Sequence, residues 1–197
     1  MNARERIMAK LGAAPKLPRP EPDVAAWFAG HRPVESSAEK VARFRKHIEF
    51  AHAEVHAVTP ATWLPRLREV LGVRRIDKLL VAAGTPHGDA ALDELPRQGI
   101  DCPTFDLPIE AWKTEMFTGT PASLTTARAA IAETGTLILW PDAHEPRLMS
   151  LVPPVHIVLL DAKRIYNTFF EATRTEAWKD GLPTNALLIS GPSKTAD

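Results

Sequence analysis

Ala130-Ile131-Ala132-Glu133-Thr134-Gly135-Thr136-Leu137-Ile138-Leu139 is the stretch whose reading decides the fold. A short Ala-rich segment leads into Glu-Thr-Gly-Thr, and an apolar run follows that ends at Trp140. The run is short, continuous and flanked by turn chemistry, which predicts a buried strand. Gly135 has no Cβ, so it either bends the chain or lets a ligand approach the backbone. The hydroxyls of Thr134 and Thr136 and the Glu133 carboxylate then stand at the mouth of that strand. By spacing alone, the short and common Glu-Thr-Gly-Thr run reads first as a tight turn with solvated side chains.

Outward from this stretch, helices and strands alternate. Ser36-Ser37-Ala38-Glu39 has the form of a capping box, and Val41, Phe44, Ile48 and Ala51 share one helical face behind it. A strand is expected near Glu54–Val58. Thr62 is placed to cap a helix with Pro65 in its first turn and a buried face of Leu64, Leu67, Val70 and Leu71, ending at Gly72. Lys78–Ala83 reads as a strand, Asp89–Arg97 as a helix closed by Gly99, and Cys102–Leu107 as a weaker strand. This alternation implies a largely parallel sheet covered on both faces. The rhythm then changes. Ala122–Thr126 and Thr136–Trp140 are strands with fewer than ten residues between them. A parallel crossover needs about a dozen, so the pair is antiparallel or lies in different parts of the sheet. Val155–Leu160 and Ala186–Ser190 complete the strands, and Lys163–Trp178 is helical in pattern. Thr136–Trp140, Val155–Leu160 and Ala186–Ser190 are expected in one mixed sheet between two helical layers.

The two ends are distinct from this body. Residues 1–35 read as a short helix followed by an extended arm carrying Pro15, Pro18, Pro20 and Pro22, and residues 36–197 as the α/β domain. The last residues, Gly191-Pro192-Ser193-Lys194-Thr195-Ala196-Asp197, look like the opening of a helix whose body is missing, as if the natural chain continued.

Composition narrows the function. The 197 residues suffice for one α/β domain with a real core. Lys plus Arg and Asp plus Glu both number 24, and a formal net charge of zero argues against a general binder of nucleic acid or anionic membrane. No apolar run approaches a membrane span of about 20 residues, and the N-terminus lacks an apolar signal core, so cytoplasmic residence is expected. The two common glycine-rich nucleotide signatures are absent from the sequence. Cys102 is the single cysteine, which rules out an internal disulfide and a self-contained iron–sulfur site, and beside Pro103 it reads as a packed residue. His52 and His56 have the spacing of a helical zinc pair, but they straddle an expected helix boundary without a third ligand, so no metal is assigned.

Three segments carry a resemblance: Ala130–Leu139; Arg147-Leu148-Met149-Ser150-Leu151-Val152-Pro153-Pro154-Val155-His156-Ile157; and Ser190–Asp197. In this order they resemble the LUD domain family, most closely its lactate-utilization protein C branch. The resemblance covers about residues 36–197 and is weaker in the first half. It implies a three-layer α/β/α fold with a mixed sheet, similar to the ribose-phosphate isomerase and CoA-transferase superfamily. It also implies a role in oxidising L-lactate to pyruvate beside iron–sulfur partner proteins, which would hold the clusters while this chain holds no cofactor. The rival expectation, from the superfamily alone, is a free-standing enzyme or binding module for a phosphorylated sugar or CoA ester.

The candidate site follows. Glu133 is the candidate catalytic carboxylate, a base or a charge-positioning group, with backbone bonding as the equal alternative. Thr134, Gly135 and Thr136 are candidate ligand contacts beside it. Arg147 either clamps a substrate carboxylate with its planar fork or pairs with Glu145 or Asp142. Ser190, Gly191, Ser193, Lys194 and Thr195 form a strand-to-helix junction suited to an anion such as a small carboxylate or phosphate, or else ordinary capping. The expected pocket joins the 133–136 turn to the 190–195 junction, with Arg147 at its rim. His156, between apolar neighbours, reads as a hydrogen-bonded core histidine.

Overall fold

The computed structural model describes residues 2–13, 20–31, 34–105 and 109–192. Ser193, Lys194, Thr195 and the end of the expected 102–107 strand lie outside them. The chain divides into two compact units, Met1–Val34 and Glu35–Asp197. In the first, helices α1 (Ala3–Ala13) and α2 (Val24–His31) bury no residue. Each is capped by a side chain. Asn2 Oδ1 accepts from Glu5 N at 2.9 Å, and Asp23 Oδ1 from Ala26 N at 2.9 Å.

The second unit is an α/β body. Helix α3 (Ser37–Phe50) opens with the expected capping box: Ser36 Oγ accepts from Glu39 N and the Glu39 carboxylate accepts from Ser36 N. Helix α4 (Trp63–Val73) carries Leu67 and Leu71 inward. Thr62 precedes it without capping it, because the Thr62 hydroxyl accepts from Thr59 N instead. Strand β1 (Leu79–Leu80) runs into helix α5 (Pro86–Glu94), and parallel bridges tie Lys78 to Asp101 and Val81 to Thr104 on one side of it. Helix α6 (Ile109–Thr118) returns the chain to strand β2 (Ala122–Thr126), which pairs in parallel with the other side of β1. The winding therefore reverses between β1 and β2. Packing agrees with that reversal. Leu79 and Val81 face α4 and α5 through Leu67, Leu71, Ala91 and Leu95, while Leu80 and Ala82 face Met116 of α6. Helix α7 (Arg147–Leu151) adds Met149 to the second face, and strand β5 (Val155–Leu159) extends the sheet beyond β2.

A second sheet begins where the first ends. Strand β3 (Ala129–Ile131) continues from β2 along one extended path, broken only at Ala127-Arg128. Ala127 N still bonds Leu159 O of β5, but Arg128 N bonds Ile138 O of strand β4 (Thr136–Leu139). There the chain changes partners. β3 pairs antiparallel with β4 and parallel with strand β6 (Ile165–Tyr166), and β4 pairs antiparallel with strand β7 (Leu187–Ile189). The fold is α/β, with a parallel sheet ordered β1-β2-β5 and a mixed sheet ordered β6-β3-β4-β7.

Three expectations are corrected. Val155–Leu160 does not share a sheet with Thr136–Trp140 and Ala186–Ser190, because the partner switch at Ala127-Arg128 splits the strands into two sheets. Glu54–Val58 forms no strand; its one apolar anchor in the core, Val55, packs by side chain alone. Lys163–Trp178 is not one helix. Asp161 caps a short 3-10 turn, Ile165 is taken into the sheet beside Ala130, and only helix α8 (Phe169–Thr175), capped by Thr168, is α-helical.

Helix α3 packs on the mixed sheet. Phe44 and Ile48 bury against Ala130, Ala132, Leu137, Leu139 and Ile165. Fully burying side chains of this size contributes about 1.5–3 kcal/mol each. The small side chains of Ala130 and Ala132 bring the helix close, and Gly135 completes the approach. Gly135 has φ +64, and a Cβ there would stand 2.5 Å from Ile48 N and 2.7 Å from His47 Cβ. Gly191, at φ +146, meets the end of the same helix: its Cβ would stand 2.7 Å from Ala51 Cβ.

Two substitutions separate conformation from contact. Gly99 has φ +80 with open space around it. Gly99→Ala is expected to cost about 1–2 kcal/mol for the left-handed backbone alone. Gly135→Ala is expected to cost about 1–3 kcal/mol more, from overpacking against α3. Urea-unfolding midpoints measure both, and equal losses would contradict the close approach.

Candidate functional site

The residues singled out in the sequence separate into two places. The first is the β3–β4 turn. Thr134 Oγ1 lies 2.6 Å from Thr136 Oγ1, which lies 2.7 Å from Ser190 Oγ just beyond β7. Three hydroxyls thus form a chain joining the turn to the segment that precedes Gly191. Thr136 is buried at 5 % exposure between the exposed Thr134 and Ser190, and the three hydroxyls satisfy one another. Glu133 is partly buried, and its backbone N–H donates to Asn167 O at 3.1 Å. The same carbonyl accepts from Arg43 Nη2 at 3.2 Å. Arg43, which the periodicity of α3 assigns away from its core face, therefore reaches the turn from that helix. Gly135 is approached by the backbone of α3. Gly191 likewise lies against the end of that helix, and Ser193, Lys194 and Thr195 are outside the described residues.

Arg147 is not part of this group. It opens α7, in the loop that leaves the C-terminal end of β4, whereas the turn enters its N-terminal end. Nor does it pair with Glu145 or Asp142. It is exposed and makes no hydrogen bond or ion pair among the described residues. Glu145 is committed elsewhere.

That commitment defines the second place, the C-terminal ends of β1 and β2. Both Glu145 carboxylate oxygens accept from Thr126 N, at 3.0 and 3.1 Å, and Oε2 accepts from Thr126 Oγ1 at 2.9 Å. Oε1 lies 2.7 Å from His87 Nε2. The two side chains are only 13 % and 12 % exposed, and buried charge of this kind persists when it is paired and hydrogen-bonded. His87 stands in the first turn of α5 and is steadied by its neighbours. Thr85 Oγ1, 3.3 Å from His87 Nε2, caps the helix by accepting from Gly88 N and donates its proton to Ala82 O at 2.6 Å. The Thr85 proton is thus spent on a carbonyl, and Nε2 faces two acceptors, which assigns its proton to Nε2. Beside the pair, Thr125 Oγ1 lies 2.8 Å from His156 Nε2. Burial holds the His156 imidazole far below its usual pKa, down to about 4, despite the opposing pull of Glu145. A shallow depression lined by Thr126, Trp140, Glu145 and Ser150 opens here.

His87, Thr125, Thr126 and the role of Glu145 escaped the sequence reading. The one available signal was a polar Thr-Pro-His-Gly run between a strand and a helix, where ligands gather in α/β folds. Cys102 is a packed residue, as its sequence context suggests. Its Sγ lies 3.7 Å from Ile100 O, and burial pushes the thiol up to about 11, far from a reactive thiolate. No group of three or more His, Cys, Asp or Glu side chains placed to hold a metal occurs among the described residues, and none of their helices is long and apolar enough to cross a membrane.

Comparison with known proteins places this geometry. The LUD domain profile matches residues 41–197. An uncharacterized protein of Neisseria meningitidis serogroup B is 39% identical over 200 residues, spanning 100% of this chain and 85% of that protein. The crystal structure of a DUF162 family protein from Deinococcus radiodurans superposes with a TM-score of 0.64 at 25% identity, covering 79% of this chain and 89% of that one.

The buried imidazole makes stability depend on pH. His156 has a folded pKa near 4 against an ordinary value of 6.5, so between these the unfolded chain binds the extra proton. Its contribution is full above about pH 6.5 and is lost as pH falls toward 4. His156→Gln is expected to flatten the stability profile across that window, read from urea midpoints at stepped pH. An unchanged slope would remove His156 as its source.

Proposed function

We propose that this chain, which belongs to the LUD domain family, is the cluster-free component of a cytoplasmic L-lactate oxidation system that works with iron–sulfur partner proteins. The observation that carries the reading is the succession of three segments within the matched region: Ala130–Leu139, Arg147–Ile157 and Ser190–Asp197. The first and third meet through the Thr134–Thr136–Ser190 hydroxyl chain, and the second supplies α7 and His156 at the other end of β4. Cysteine content supports the division of labour. One half-buried thiol, protonated at neutral pH, gives this chain neither a cluster ligand set nor a thiolate couple. The electrons of lactate therefore go to the partners' clusters, and this chain contributes ligand binding and assembly.

The test is reconstitution. The full chain is co-purified with the products of its neighbouring genes, and lactate-dependent reduction of an electron acceptor is measured with each component omitted in turn. Activity is expected to vanish when this chain is left out. Full activity without it, or turnover of a sugar phosphate by this chain alone, contradicts the reading.

A further inference from the structure

The parallel sheet reverses its winding between β1 and β2, and its two helical layers part there. Leu79 and Val81 face α4 and α5, while Leu80 and Ala82 face α6 and α7. In open α/β sheets the crevice at such a reversal, outside the C-terminal ends of the strands, is where ligands bind. The crevice here is bordered by Thr85 in the loop after β1, by His87 in the first turn of α5, and by the loop after β4, which carries Glu145. We infer that this crevice, and not the β3–β4 turn, binds a small 2-hydroxy or 2-oxo carboxylate. His87 meets its hydroxyl or keto oxygen and Arg147 its carboxylate.

Three features fit that ligand. The Nε2–H of His87 is held on Glu145, which leaves Nδ1 without a partner among the described residues. A neutral imidazole so fixed accepts a hydroxyl proton at Nδ1, and an imidazolium donates to a keto oxygen from the same atom. Next, Arg147 is a free guanidinium. It precedes Ser150 by three residues on α7, which puts the two on one helical face, and Ser150 lines the depression with Glu145. A planar guanidinium recognises a carboxylate through paired N–H donors. Finally, both Glu145 oxygens are already engaged by Thr126 and His87, which fixes the carboxylate in place. The Thr134–Thr136–Ser190 chain offers none of this, since its hydroxyls are spent on each other and the α3 backbone closes over Gly135.

The choice of acid accords with the lactate reading, whereas the location rests on the crevice alone. The experiment follows the ring proton signals of His87 and His156 in the full-length protein during titration with L-lactate, pyruvate and inorganic phosphate. The signals are assigned by their loss in His87→Gln and His156→Gln. Lactate or pyruvate is expected to shift the His87 signal saturably, with at least tenfold weaker affinity in Arg147→Gln. Arg66→Gln, the same charge change on the exposed side of α4, is expected to leave the affinity unaltered. Absence of saturable binding overturns the inference. So does binding that leaves the His87 signal still, or a preference for phosphate. If the ring responds but the reconstituted system oxidises lactate without this chain, the component reading falls and the site stands. If the chain is required but the ring never responds, the site falls alone.

Discussion

The approach of helix α3 to the backbone of Gly135 is the constraint on which the rest of the domain depends. A Cβ at that position would stand 2.5 Å from a helix amide nitrogen, so the helix sits as low on the mixed sheet as the chain permits. That depth is available because Ala130 and Ala132, both fully buried, line the sheet face beneath the helix. Phe44 and Ile48 then reach past them to Leu137, Leu139 and Ile165. Gly191 repeats the contact at the end of the helix. With the helix seated, Arg43 reaches Asn167 and Glu35, and Lys40 reaches Glu171 at 3.1 Å, so α8 and the strand before it are tied to the same element.

This seat explains why chemistry collects elsewhere. One extended segment, Ala122–Ile131, runs through both sheets and exchanges β5 for β4 at Ala127-Arg128. Its far end is closed by α3. Its middle, at Thr125 and Thr126, lies where the parallel sheet ends and the helical layers diverge, and there Glu145, His87 and His156 converge. Arg128 at the switch is held on both sides. Its guanidinium lies 3.8 Å over the Trp140 ring, and its Nε lies 2.9 Å from the nearly buried Glu176 without hydrogen-bond alignment. The Tyr166 hydroxyl also donates to Glu176, and burial and that carboxylate push it up to about 12.

Much of this was legible in the residues because local patterns coincided with the tertiary answer. The capping box at Ser36, the Pro65 first turn, and the strands at Ala122, Thr136, Val155 and Ala186 followed from periodicity and turn chemistry. The splitting of the strands into two sheets was not legible, since Ala127-Arg128 carries no glycine, proline or charge run to mark a change of partner. Ile165 was hidden for a related reason: its apolar spacing continues a helical pattern, and only pairing with Ala130 draws it into a strand. In the candidate site, the meeting of Thr136 with Ser190 was foreseen, and the place of Arg147 was not. Thr126, Glu145 and His87 are far apart in sequence, and their pairing is a product of the winding reversal that no single segment encodes.

The central claim is that α3, the Gly135 turn and the segment Ala122–Ile131 form one cooperative joint. Native-state hydrogen exchange tests it directly. The amides of Ala132 and Glu133, bonded to Tyr166 O and Asn167 O, and of Arg128, bonded to Ile138 O, report on the turn and the switch. The account predicts that they exchange with the same opening free energy as the β2 amides and the Ile48 turn of α3, near that of global unfolding. Exchange of the turn amides at a clearly lower free energy, with β2 still protected, would show the turn to be an independently opening loop and would contradict the account.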